Sequence, residues 1–149
     1  MDREDYVKSN WSAADVELLK TEFALVNHRA AVRFACDCAE RACRRSSADN
    51  RAYAAILAGR GWADGRGSVP EARAAAFAAH TAAREATVPA AQFACRSAGH
   101  AAATAHVITH AVAAADYAAK NAPYPLAERE WQYAHLLSML QTMPDGFER

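Results

Sequence analysis

Alanine is the feature that most restricts what this chain can become. It fills about a quarter of the 149 positions and clusters in runs such as Ala74–Ala76, Ala101–Ala103 and Ala113–Ala115. Alanine is the strongest helix former, and the β-branched and aromatic residues that favour strands are sparse. An alanine-rich chain of this length, 52% apolar overall, therefore predicts an all-α fold with a real hydrophobic core. Its helices can pack closely, because small side chains bring axes toward the ~8 Å end of the usual range.

The start and stop signals divide the chain into five or six helices. Residues 1–11 read as a loose leader. Ser12 with Asp15 opens a short helix over 13–24, and Asn27 can cap the next, over 28–45. Asp49 or Asn50 can cap a third over 51–63, which "DGRG" ends. "SVPE" is the clearest start: Ser68 at the N-cap, Pro70 in the first turn, Glu71 three residues beyond the cap, and a helix to about residue 86. Pro89 then begins a long helix to Asn121, in which Gly99 requires a packing reason or a bend. "NAPYP" stops it, a last helix covers 126–142, and 143–149 is tail. The expected architecture is a compact single-domain bundle over residues 1–149, arranged around that long central alanine-rich helix.

Charge and cysteine usage exclude several classes. Lysine plus arginine balances aspartate plus glutamate at 17 each, so no basic footprint favours nucleic acid. No apolar run reaches the ~18 residues of a membrane span, and the acidic N-terminal residues lack a signal-peptide core. The expected location is the cytoplasm. Of the four cysteines, Cys36 and Cys38 point about 200° apart on a helix, while Cys36 and Cys43 lie about 10 Å apart along it. Neither pair suits a disulfide or a shared ion, and all four read as buried small hydrophobes.

The polar residues set among alanines are the candidate site. On the expected long helix His106 and His110 share a narrow face with Gly99, and His100 borders it. The His106–x3–His110 spacing allows a shared metal with a third ligand such as His80, Asp37 or Cys95, although Val107 stands where a metalloprotease has glutamate. The competing reading makes these histidines buried, hydrogen-bonded residues that fix helix register. Arg73, Phe77, His80 and Arg84 form a second stripe, with Asp37 and Asp116 as acidic partners if that face turns inward. Trp62 and Trp131, with Tyr133, are the aromatic anchors available to a partner or to the core. No nucleophile elbow, phosphate loop or paired-carboxylate motif occurs, so neither an enzyme nor a bound cofactor is expected.

The segments "FACDCAERA", "AILAGRGWADGRGSVPEARAAAFAAHTAAREA", "ACRSAGHAAATAHVITHAVAAADYAAK" and "EREWQY" occur in this order over roughly residues 28–133. In wording and order they resemble a family of small bacterial all-helical proteins, the immunity proteins of polymorphic toxin systems. The resemblance implies neutralisation of a cognate protein toxin by binding, with no prescribed catalytic residues. Two alternatives stand beside it: a metal- or small-molecule-binding bundle centred on His80, His100, His106 and His110, and a module that forms a homodimer through its alanine-rich faces.

Overall fold

The computed structural model describes residues 28–141. Six helices run through them: α1 (His28–Ser46), α2 (Asn50–Ala63), α3 (Val69–Glu85), α4 (Pro89–Ala103), α5 (His110–Asn121) and α6 (Pro125–Gln141). No strand occurs among the described residues, and the fold is all-α, as the alanine content predicts. The leader 1–11, the helix expected over 13–24 and the tail 143–149 lie outside the described residues.

The caps are where the sequence puts them. Asp49 Oδ1 accepts from the backbone N–H of Arg51 (2.8 Å), and Ser68 Oγ accepts from that of Glu71 (3.2 Å) with Pro70 in the first turn. Gly65, at φ 80°, takes the left-handed conformation that ends α2 and turns the chain toward α3.

The long central helix is the element the structure corrects. It is two helices, α4 and α5, separated by residues 104–109. There the backbone tightens to i−3 bonding, with Ala105 N–H donating to Ala102 O and His110 N–H to Val107 O. Thr104 turns its hydroxyl back onto His100 O (2.8 Å), and its own carbonyl accepts from His28 Nε2 of α1 (2.5 Å). The segment holds Thr104, Val107, Ile108 and Thr109, whose branched side chains weaken a helix without breaking it. The two halves fold against each other as an antiparallel hairpin. Contacts step outward from the turn: His100 with His110, Ser97 Oγ on Ala114 O (2.7 Å), then Phe93 with Tyr117.

α4 packs against α1, α2, α3 and α5, and α1 against α2, α4, α5 and α6, so these two helices hold the centre. The core between them is mainly alanine. The larger buried apolar side chains are few: Val32, Phe34, Ile56 and Leu136. Helix approach is correspondingly tight, and a Cβ on Gly59 would lie 2.9 Å from Cys36 Sγ. All four cysteines are free and buried, and burial pushes the Cys36 and Cys43 thiols up to about 12. No helix among the described residues is long and apolar enough to cross a membrane.

Candidate functional site

The stripe Arg73, Phe77, His80, Arg84 shares one face of α3, as its spacing requires, but that face does not turn inward. α3 buries Ala72, Ala76, Ala79, Ala82 and Ala83. Arg73 and Arg84 are exposed, and Phe77 is 64% exposed. Arg84 bonds only along its own helix, donating to Thr81 Oγ1 (2.9 Å), so its expected burial against an acidic neighbour is wrong. In a core built of alanine the small side chains mark the inside, which inverts the usual rule that bulky residues do.

His80 reaches across to α4. Arg96 Nη1 donates to His80 Nδ1 (2.8 Å); arginine can only donate, so this imidazole is neutral and carries its proton on Nε2. The Nε2 edge lies over Gly99, where an added Cβ would come within 2.6 Å. That is the packing reason for a glycine inside α4. His80 meets His100 edge-on, with ring centroids 4.8 Å apart, and His100 stacks with both His110 (5.2 Å) and Tyr117 (5.5 Å). His100 Nδ1 and His110 Nδ1 are 2.9 Å apart, so one donates and the other accepts.

These three rings are held neutral. Burial, reinforced by the charges of Arg96 and Arg84 and by His110, lowers His80 to about 4. Burial, then His80, His110 and Arg96, lowers His100 to about 4. Burial and then His106 lower His110. Among the described residues no carboxylate acts on any of the three.

His106 departs from expectation. It lies in the 104–109 turn and is exposed, while His110 is half-buried. The turn separates them, so they do not share a helical face. Both nevertheless line one open cleft of about 200 Å³ with Arg73, Phe77 and His80. No group of three or more His, Cys, Asp or Glu side chains among the described residues is placed to hold a metal ion, so the geometry does not support a His80–His106–His110 metal site.

Asp37 and Asp116 pair elsewhere than with the α3 arginines. Asp37 accepts from Arg60 Nη2 of α2 (2.9 Å) and from His135 Nε2 of α6 (2.8 Å). His135 stacks on Trp131 (4.6 Å), and the Arg41 guanidinium also lies over that indole (3.9 Å). A second cleft of about 200 Å³ opens among Asp37, Glu40, Arg44, Arg60 and Trp131, but its charged groups already satisfy one another. Arg60, Glu40 and His135 were missed in the sequence. The spacing of Asp37, Glu40, Arg41 and Arg44 on α1, and of Trp131 and His135 on α6, is the signal that could have found this cluster. Asp116 is paired with Arg129 across α5 and α6. Trp62 is half-buried, with His28 edge-on at 5.0 Å, and both Trp62 and Trp131 pack against the core.

The described structure defines a small helical bundle whose acidic groups are mostly clasped between helices, with His80, His106 and His110 bordering an open cleft beside Arg73. Over residues 21–139 the chain matches the model of the "Imm-5 like putative immunity protein" family, and it belongs to that family. No curated protein and no solved structure matches the chain.

Proposed function

We propose that this protein acts by binding a cognate bacterial toxin and occluding its active surface, without catalysing a reaction itself. The observation that carries this reading is membership of an immunity family over most of the chain. Rigidity supports it. A close-packed alanine core with clasped helix ends presents a preformed surface, which lowers the ordering cost of association. The exposed Phe77 and Leu57 supply apolar area to such a surface. A homodimer through alanine-rich faces is the competing assembly, and a cytoplasmic location is the setting that toxin neutralisation implies.

The test is co-expression with a candidate toxin domain, sought first in the genes that flank this one. Protection of the cells and a stable complex on co-purification are expected. Full toxicity in the presence of soluble, folded protein would refute the reading.

A further inference from the structure

Among the described residues the charges are unevenly partnered. Arg33, Arg41, Arg44, Arg45, Arg51 and Arg60 of α1 and α2 each contact a carboxylate, as do Arg66 and Arg129. Arg73, Arg84, Arg96 and Lys120, on α3, α4 and α5, contact none. Arg84 and Arg96 bond Thr81 and His80 instead, and Lys120 lies over the Tyr117 ring. Of these cations Arg73 lines one cleft, and Arg84 and Arg96 act on His80, which lines it too. The cleft lining includes Arg73, Phe77, His80, His106 and His110 and no acidic residue. Glu71, in the first turn of α3, does not line it.

We propose that this cleft is the docking site for an acidic segment of the toxin, with carboxylates facing Arg73 and Arg96 and an apolar side chain seated on Phe77. The inference rests on the toxin-binding reading and adds the surface and the chemistry of the partner. Charge complementarity selects the occupant: an acidic segment supplies the counter-ions that this face lacks, and a basic one is repelled. Two further features fit. Phe77 is a large aromatic at the lip of a concave site, the position that anchors occupy in interfaces. The imidazoles beside it are proton acceptors that a carboxylate would charge. His80 faces Arg84 on its own helix, Arg96 and His100 on α4 and His110 on α5, while on the α2 side Arg51 and Glu85 pair with each other. Among the described residues no carboxylate acts on these rings, so an arriving one supplies a negative charge that their described surroundings do not.

The experiment measures binding kinetics of the full chain with the toxin domain that the co-expression test identifies, using Arg73→Glu, Phe77→Ala and the control Arg66→Glu. All three residues are exposed, and circular dichroism checks each fold. Arg73→Glu is expected to slow association about tenfold or more, with the loss shrinking at high salt. Phe77→Ala is expected to speed dissociation about tenfold. Arg66→Glu should change neither rate by more than about twofold. Complex formation should take up protons between pH 7 and 5, read as a binding enthalpy that varies with buffer ionisation. Tight binding unchanged in both cleft variants, an equal loss in Arg66→Glu, or a complex that takes up no protons overturns the docking assignment and leaves the immunity reading intact. A wild-type chain that does not bind the toxin at all overturns both.

Discussion

At the scale of single residues, Gly99 and His80 form one unit. The sequence marks both as out of place, a glycine inside an alanine helix and a histidine on another, but nothing local says that one makes room for the other. Gly99→Ala gains up to ~1 kcal/mol of helix propensity and forces a Cβ into the imidazole, an overpacking that costs about 1–3 kcal/mol. A net destabilisation of about 1–2 kcal/mol is expected by urea denaturation. Adding His80→Ala should remove most of it, because the clash and not the helix is the cause. A penalty that persists without His80 would point to some other neighbour. Ser68→Ala removes the N-cap bond to Glu71 and should cost about 1 kcal/mol. That prediction needs no tertiary information, since cap and helix are adjacent in the chain.

Helices depend on one another through buried polar clasps, and α6 shows this best. It meets only α1 and α5 substantially. Glu128 in its first turn is 4% exposed and accepts two bonds from Arg41 (2.9 Å each), with Arg45 at 3.1 Å. Burial pushes the Glu128 carboxyl up, but the bonds and charges of Arg41 and Arg45 outweigh it and hold the group below its usual range. Gln132, fully buried one turn on, donates to Ala115 O (2.9 Å) and ties α6 to α5. The double substitution Arg41→Met, Arg45→Met strands a buried carboxylate and should cost about 3 kcal/mol, more than Glu128→Gln in the intact clasp. Equal losses in the two variants, measured by urea unfolding at pH 7, would mean that the carboxylate is better solvated than its burial indicates. The α4–α5 break belongs to this scale too. Residues 104–109 contain neither glycine nor proline, so start-and-stop reasoning runs straight through them. The His28 bond to Thr104 O and the face-to-face packing of α4 and α5 make the tight turn the better solution.

For the molecule as a whole, the histidine cluster sets a pH dependence. His80 and His100 have folded values of about 4, below the ordinary 6.5, and His110 is lowered as well. Between those limits the unfolded chain binds more protons than the native one, so the stabilisation is complete above pH 6.5 and is lost as pH falls toward 4. Below that, Asp37 and Glu128, both held low, continue the loss in the same direction. The urea midpoint should be level from pH 8 to 7 and fall steadily from 6.5 to 4. A midpoint unchanged between 7 and 4.5, or His80 and His100 rings titrating near 6.5 by NMR, would contradict the burial of the cluster.

The sequence by itself determined the helical class, four of the six described helices to within a residue or two at their ends, the start of α4 and the end of α5, and the caps at Asp49 and Ser68. These rest on interactions between near neighbours in the chain, and so does the four-three-four stripe that puts Arg73, Phe77, His80 and Arg84 on one side of α3. Which way that stripe faces, where the long alanine segment folds back and which cations remain unpaired were decided only by the tertiary structure. Alanine is the physical reason. It favours helix strongly enough to be read locally, but its small uniform side chain carries almost no contrast between inside and outside. Register, orientation and the composition of the cleft are therefore left to long-range contacts: Gly99 under His80, Ser97 on Ala114, and Glu128 between Arg41 and Arg45.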